Sequence, residues 1–189
     1  VVHPLRDVAA HVEKPVLDFG CGTGLSGEAF HSISTRLTGI DLSPAMLVKA
    51  GEKGLYDNLL AGDAVELIRN STETFDLVIS CDALPYMGDL VPLFTAVATV
   101  TAAGGHFLCT TELASGESYS LQTTARFAHS PQYLLESASA AGFDALAQDT
   151  KPLRKEDLKV IMAQAVERIR SAPHPRQSLA PTNADAQRR

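Results

Sequence analysis

Cysteine, long apolar runs and an excess of positive charge are all scarce in this sequence, and each scarcity excludes a class of protein. Only three cysteines occur among 189 residues. Cys21, Cys81 and Cys109 are far apart and have no CxxC or His-rich neighbourhood, so we expect reduced thiols, no disulfide framework and no metal site. No apolar run approaches the roughly 18 residues needed to cross a bilayer, and the first residues contain no signal-peptide core. We therefore expect a cytoplasmic protein without a membrane partner.

The charge balance is acidic, with 16 Lys and Arg against 22 Asp and Glu and a net charge of −6. The acidic residues are dispersed rather than run together, so the sequence shows no charged surface for nucleic acid, and a nucleic-acid partner is disfavoured. An apolar fraction of 45% is typical of a globular domain. The chain is long enough for one domain with a full-sized core, and its oligomeric state is left open.

Short apolar segments alternate with helical ones from residue 16 onward, which predicts a mostly parallel sheet with helices on both faces. The predicted strands are 15–20, 36–42, 58–63, 75–81, 106–111 and 144–150. The predicted helices are 26–33, 44–53, 64–70, 89–100 and 130–143. The polar stretch 112–130 is long enough to be a functional excursion rather than a plain connection. Residues 158–170 fit either an amphipathic helix or a last strand, and periodicity does not decide between them.

Two segments at the ends of the chain are assigned by composition. Residues 171–189 contain three prolines and few apolar residues, which predicts a disordered tail after a domain over 1–170. The chain begins with Val rather than Met, which fits a fragment whose N-terminal part is missing. We therefore expect a short or truncated segment before the first strand.

A glycine-rich turn follows the first predicted strand, in the stretch LDFGCGTGLSG over residues 17–27. Read from Gly20 its spacing is G-x-G-x-G, and read from Gly22 it is the G-x-G-x-x-G of dinucleotide-binding loops. Glycines let backbone amides approach a ligand at the start of a helix. Such turns also occur for packing alone, so the turn by itself does not decide between a ligand site and a structural role.

Three carboxylates narrow the choice of ligand. Asp41 closes the second strand about 20 residues after the glycines, where an acid accepts both ribose hydroxyls. Asp63 ends the third strand, where an acid can accept from an adenine amino group. Asp18 lies two residues before the first glycine, where it would repel a pyrophosphate but attract an ammonium and a sulfonium. The acids therefore favour a cationic nucleoside over NAD.

The ordered series D-x-G-x-G-x-G, GIDLS, GDA and FDLV resembles that of class I S-adenosylmethionine (SAM)-dependent methyltransferases, from about residue 15 to 112. The resemblance implies a Rossmann-like, doubly wound, seven-stranded sheet in three α/β/α layers with an antiparallel last strand. It implies SAM as cofactor, S-adenosylhomocysteine (SAH) as product and a small-molecule acceptor. Segments such as FDLVISCDALPYMGDL and RFAHSPQYL are similar to the methyltransferase domain of tetratricopeptide-repeat-associated proteins. That narrower likeness implies an antiparallel last strand at 158–166.

The same resemblance implies which residues hold the cofactor. The methionine part would lie against the glycine turn, the ribose and adenine along the second and third strands, and the methyl group after the fourth strand. The implied cofactor-binding residues are Asp18, Gly20, Cys21, Gly22, Gly24, Asp41, Leu42, Met46, Asp63, Ala64, Ser80, Cys81 and Asp82.

Two residues are candidates for contact with the acceptor. Methyl transfer from a sulfonium can gain much of its rate from positioning, but a hydroxyl or ammonium acceptor also needs a base. His129, just before a predicted helix, is the candidate base, and a surface histidine beside a helix cap is the alternative. Tyr86 follows the fourth strand and could touch the acceptor or serve packing alone.

Three functions remain open at this point. The first is a SAM-dependent methyltransferase acting on a small molecule. The second is a catalytically silent module that binds SAM or SAH and serves as a scaffold. The third, disfavoured by Asp18 and Asp63, is an NAD(P)-linked oxidoreductase that uses the spacing from Gly22.

Overall fold

The computed structural model describes residues 14–153 and 156–165 of the chain. The predicted tail at 171–189 and the segment before the first strand lie outside these residues. No helix within the described ranges is long and apolar enough to span a membrane.

The described residues form an α/β structure with one mixed sheet. The strands are β1 Lys14–Phe19, β2 Ser34–Asp41, β3 Asn58–Ala61, β4 Phe75–Ser80, β5 Thr101–Leu113, β6 Tyr119–Leu121, β7 Phe127–His129, β8 Phe143–Leu153 and β9 Glu156–Ala165. The helices are α1 Leu25–Phe30, α2 Pro44–Glu52, α3 Ala64–Arg69, α4 Val91–Val100 and α5 Pro131–Ala141. Single turns of 3-10 helix occupy His31–Ile33 and Leu84–Tyr86.

The sheet order is β3-β2-β1-β4-β5, with every neighbouring pair parallel. Beyond β5 the sheet continues with β9, which is antiparallel to both β5 and β8. These seven strands confirm the predicted doubly wound sheet with an antiparallel last strand. A parallel sheet of this order brings the carboxyl ends of β1, β2 and β4 to one edge, where ligands bind in open α/β folds.

Alternating residues of the central strands send apolar side chains to both faces of the sheet, as the pleat requires. On one face Phe19 and Phe107 pack with Phe94 of α4 and Leu134 of α5. The other face carries a smaller cluster: Val16, Phe30, Leu37, Ile79 and Leu108. Because helices cover both faces, most residues of the central strands are buried, and the open place for a site is at their carboxyl ends.

The alternative of a helix over residues 158–170 is wrong as far as the structure describes them, because Glu156–Ala165 is strand β9. Its backbone pairs with β5 on one side and with β8 on the other. Two ladders of backbone hydrogen bonds outweigh a local helical pattern, which is a weak preference by comparison.

Two features of the sheet were not predicted. Strand β5 begins at Thr101 rather than residue 106, with an irregular register opposite Phe75 and Leu77. The predicted polar excursion contains the hairpin β6–β7, in which Ser120 pairs with Ala128. Strand β7 pairs in parallel with Glu112 and Leu113 at the carboxyl end of β5. The hairpin therefore stands at the same edge of the sheet as the glycine turn.

Candidate functional site

The glycine turn leaves β1 and enters α1 at the carboxyl edge of the sheet. Gly20 has φ of 66°, and a Cβ there would lie 2.3 Å from Cβ of Ala83, so only glycine fits against the segment after β4. At Gly22 (φ of 53°) a Cβ would meet nothing within 4 Å. Gly20 thus brings two chain segments into contact, while the backbone at Gly22 faces open space that a ligand can fill.

Asp41 ties the glycine turn to the end of β2. Its Oδ2 accepts a hydrogen bond from the backbone amide of Gly22 at 2.8 Å, and its Oδ1 accepts one from the amide of Ser43 at 2.8 Å. Each carboxylate oxygen keeps a second lone pair for a further donor. The carboxylate is therefore fixed in place and can still accept from ligand hydroxyls.

Asp18 is fully buried inside β1, with 0% exposure. Its Oδ2 accepts hydrogen bonds from the hydroxyls of Ser26 (2.5 Å) and Tyr56 (2.7 Å), while its Oδ1 has no protein partner. Burial raises the pKa of Asp18 to about 6, against the two hydroxyl donors, which lower it. A buried carboxylate with one unsatisfied oxygen is costly in the free protein and is the group that a cation would stabilise.

Tyr56 is a site residue that the sequence analysis missed. It precedes β3, and besides donating to Asp18 its hydroxyl oxygen accepts from the amide of Gly27 at 3.1 Å. A Cβ at Gly27 would lie 2.5 Å from this hydroxyl, and one at Gly39 would lie 2.9 Å from the ring. Two glycines distant in sequence thus make room for one side chain, and no local pattern around Tyr56 signals this.

The residues predicted to surround an adenine lie beyond β2 and β3. Leu42 is 75% exposed and Met46 41% exposed, which is unusual for apolar side chains beside a buried carboxyl edge. Asp63 caps α3 by accepting from the amide of Glu66 at 3.0 Å, and Ala64 is buried. Asp63 therefore has a structural role in the free protein, and its contact with an adenine stays a prediction.

Ser80, Cys81 and Asp82 end β4 at the centre of the same edge. Ser80 is fully buried and its hydroxyl oxygen has no partner, as at Asp18. Burial raises the pKa of Cys81 to about 12, so the residue is a neutral thiol. Asp82 has φ of 66°, a left-handed conformation that a non-glycine residue adopts at a cost, and its amide donates to Oγ1 of Thr110 at 2.8 Å.

Arg126, in the turn of the β6–β7 hairpin, joins three segments at this edge. Its guanidinium forms ion pairs with Asp82 and with Glu112 and donates to the hydroxyl of Tyr86 at 3.4 Å. It also lies over the ring of Tyr86, 5.1 Å from the centroid. Tyr86 is 68% exposed, so the packing alternative for this residue is not favoured. The cluster holds an exposed tyrosine ring against the hairpin.

His129 is completely buried, so the alternative of a surface histidine is wrong. Its Nδ1 is 2.7 Å from Oγ1 of Thr111 and its Nε2 is 3.0 Å from the carbonyl oxygen of Gly88. The ring stacks on Tyr133 at 6.0 Å between centroids. With Nε2 donating to the carbonyl, Nδ1 accepts from the threonine, and neither nitrogen is free to take a proton from an acceptor. The catalytic role stays a prediction, and this geometry favours a structural one.

The buried imidazole of His129 predicts one contribution to stability that is lost in acid, opposite in sign to that of Asp18. Burial lowers the pKa of His129 below its ordinary value of 6.5. Between these two pKa values the unfolded chain binds more protons than the folded one, so the contribution of His129 to the free energy of unfolding falls as pH falls. We expect His129→Gln, which can still donate and accept, to lose this part of the acid sensitivity. Chemical denaturation at pH 7.5, 6.5 and 5.5 measures the difference, with His31→Gln at an exposed histidine as the matched control. Equal pH slopes for wild type and His129→Gln would contradict the prediction.

A family model described as a methyltransferase domain matches residues 17–109. The match runs from within β1 to within β5 and includes the glycine turn, Asp18, Asp41 and Asp63. This match covers about half of the chain and agrees with the resemblance of the glycine turn and its carboxylates to class I SAM-dependent methyltransferases. Within the described ranges, no three His, Cys, Asp or Glu side chains converge as metal ligands.

Two solved structures resemble this chain in fold. A SAM-dependent methyltransferase from Mesorhizobium loti aligns with a TM-score of 0.70 at 18% identity, covering 86% of this chain and 97% of that one. A magnesium protoporphyrin IX methyltransferase from Synechocystis, with SAH bound, aligns with a TM-score of 0.71 at 15% identity, covering 87% and 80%.

Two relatives with assigned activities are similar in sequence to part of this chain. An 18S rRNA (guanine-N(7))-methyltransferase of Bos taurus is 40% identical over 77 residues, which are 40% of this chain and 27% of the relative. A malonyl-[acyl-carrier protein] O-methyltransferase of Erwinia billingiae is 35% identical over 98 residues, 52% of this chain and 39% of the relative. The chain thus spans less than half the length of either relative, and their acceptors differ in chemical class.

Proposed function

We propose that the site at the carboxyl edge binds SAM and transfers its methyl group to a small acceptor molecule. The observation that carries the proposal is the buried carboxylate of Asp18, whose Oδ1 has no protein partner beside a turn that faces open space at Gly22. A ligand with an ammonium group would satisfy this oxygen, whereas a pyrophosphate would be repelled by it. The donor set therefore fits SAM better than a dinucleotide.

The other predicted contacts fit the same ligand. Asp41 would accept the ribose hydroxyls while keeping its amide partners, and exposed Leu42 and Met46 would cover the adenine faces. Asp63 and Ala64 would meet the adenine edge. Gly20, Cys21, Gly22 and Gly24 would enclose the methionine part, and Ser80, Cys81 and Asp82 would lie next to the methyl group.

Positioning is the main contribution that this chain would make to catalysis. Bound SAM would supply a methyl group on a sulfonium: the acceptor atom would bond the methyl carbon as the carbon–sulfur bond breaks, the electron pair would stay on the sulfur of neutral SAH, and any acceptor proton would pass to solvent. The turn and Asp41 would hold one reactant, and the Arg126 cluster would hold Tyr86 against the other. Orientation of this kind can lower a barrier by about 7–11 kcal/mol in the best cases.

The acceptor is proposed to be a small molecule rather than RNA. The net charge of −6 disfavours a polyanion. Arg126, the cation at the acceptor side, already pairs with Asp82 and Glu112. A guanidinium already shared by two carboxylates is a poor ligand for a phosphate. The rRNA methyltransferase among the relatives makes an RNA acceptor the outcome to test against.

A catalytically silent SAM-binding module is the second candidate function. The observation that favours it is the burial of His129, because the candidate base has no free nitrogen.

A cytoplasmic location and a kinship with tetratricopeptide-repeat-associated methyltransferases stay proposals from the sequence alone.

Calorimetric titration with SAM, SAH and NADH tests the cofactor. We expect heat of binding for SAM and SAH and none for NADH, and binding of NADH alone would overturn the proposal. Turnover of methyl-labelled SAM on a panel of metabolites and on short RNA then tests the acceptor. Transfer to a metabolite supports the proposal, transfer to RNA contradicts the small-molecule acceptor, and SAH binding without any transfer favours the silent module.

A further inference from the structure

The hydrogen bond from Tyr56 to Asp18 indicates that Tyr56 influences cofactor binding through Asp18. We propose that Tyr56 is a positioning residue that, with Ser26, holds the carboxylate of Asp18 ionised and turned so that its free oxygen faces the ammonium group of the cofactor. The inference rests on the proposed function, because it presumes that SAM or SAH occupies the site.

The orientation of Asp18 is set entirely from one side. Both hydroxyl donors, Ser26 and Tyr56, bind Oδ2, at 2.5 and 2.7 Å, and leave Oδ1 without a partner. Two donors on one oxygen fix the rotation of the carboxylate and direct the other oxygen away from them. Ser26 comes from α1 and Tyr56 from the segment before β3, so the carboxylate is held between two elements.

Tyr56 is itself rigidly placed. Its hydroxyl oxygen accepts from the amide of Gly27, which leaves the hydroxyl proton for Asp18. Its ring occupies the space that Gly24 and Gly39 leave, where an added Cβ would lie 3.1 and 2.9 Å from ring carbons. The hydroxyl therefore reaches Asp18 in one defined position, rather than as a flexible surface group.

The groups around Asp18 determine whether its carboxyl group is ionised near neutral pH. Burial raises its pKa to about 6, the bonds from Ser26 and Tyr56 oppose that rise, and the charge of Asp41 adds to it. Burial raises the pKa of the nearby Cys21 and Cys81 thiols, and the charge of Asp18 raises both further, so both thiols are neutral. Hydrogen bonds from the two hydroxyls are thus what opposes protonation of Asp18 in the free protein.

Removing the Tyr56 hydroxyl should therefore weaken SAH binding in a pH-dependent way. Loss of the Tyr56 donor raises the Asp18 pKa above its value of about 6, so at pH 6 a smaller fraction of Tyr56→Phe carries the carboxylate, and we expect it to bind SAH several-fold more weakly than wild type. At pH 8, where the carboxylate is ionised in both proteins, the difference from this cause nearly vanishes. A uniform loosening of the turn would instead weaken binding equally at every pH.

The experiment is calorimetry of SAH and of 5′-methylthioadenosine from pH 5.5 to 8.5, on wild type, Tyr56→Phe, Ser26→Ala and the control Tyr119→Phe. Methylthioadenosine lacks the amino-acid part, so its affinity should not follow Asp18. An infrared titration of the Asp18 carboxyl band, referenced to Asp18→Asn, reports the pKa without any ligand. Ser26→Ala keeps the test decisive if Tyr56→Phe fails to fold.

The outcomes separate the inference from the proposed function. A pH-dependent loss for SAH alone in Tyr56→Phe or Ser26→Ala, with Tyr119→Phe like wild type, supports the inference. Equal losses for both ligands at all pH values, or no loss, overturn it and leave the proposed function standing. Absence of SAH binding to the wild-type protein removes the proposed function itself.

Discussion

Asp41→Ala is expected to weaken binding of SAM and SAH by about 100-fold or more. Two ribose hydroxyls bonded to a carboxylate contribute roughly 1.5–3 kcal/mol each, and a loss of about 3 kcal/mol is a factor of more than 100. The substitution also releases the amides of Gly22 and Ser43, both held at 2.8 Å, so the glycine turn loses its anchor on β2. Calorimetry or equilibrium dialysis with SAH measures the loss directly.

The control for this substitution is Asp76→Ala, which removes a carboxylate near the opposite end of the sheet. Asp76 pairs only loosely with Lys14, at 3.6 Å, and is distant from the turn along β4. We expect it to bind SAH like wild type. Unchanged affinity in Asp41→Ala, in a protein shown by circular dichroism to be folded, would exclude the ribose role.

Arg126→Met is expected to destabilise the protein by ~2–3 kcal/mol, below the ~3–5 kcal/mol of a fully buried pair because the guanidinium keeps some solvent contact. The physical reason is Glu112, whose side chain is 9% exposed and would be left charged without its guanidinium. Asp82, with a side chain 49% exposed, would be solvated by water and cost little. Thermal unfolding should show a fall in Tm of roughly 5–10 °C for a domain of this size.

A second substitution tests the cause of this loss. Adding Glu112→Gln to Arg126→Met removes the buried charge that has lost its guanidinium partner and should restore part of the lost stability. Arg69→Met, at an exposed arginine in the last turn of α3, is the matched control and should leave Tm within a degree or two. A Tm for Arg126→Met equal to that of the control would mean that the cluster contributes nothing to the fold.

The central sheet and the glycine turn could be predicted because their signals are local. Strands β1, β2 and β4 are apolar runs, and each is followed by residues that stop a strand: Gly, Ser-Pro or Cys-Asp. Asp18 and Asp41 lie in the last two positions of β1 and β2, so the end of each run locates its carboxylate. Parallel pairing then brings Asp18 and Asp41 to one edge without further information. The last strand needed the family resemblance, because its own residues fit two periods.

The remaining features depend on contacts between residues distant in sequence. Tyr56 reaches Asp18 across 38 residues, and Nε2 of His129 reaches the carbonyl of Gly88 across 41. The hairpin strands β6 and β7 have three residues each, too few for an alternating pattern. No local sequence pattern predicts that His129 is buried or that Arg126 pairs with Glu112.

The burial of Asp18 also has a consequence for the energetics of folding. A carboxyl group whose pKa rises from 3.8 to about 6 on folding lowers the stability of the protein as pH increases through that interval, by about 3 kcal/mol when fully ionised. Through this group, the unliganded domain is therefore less stable near neutral pH than at a pH where Asp18 is protonated. A bound cation would stabilise the ionised Asp18 carboxylate and offset this cost. The cofactor would therefore stabilise the folded sheet as well as react at its edge.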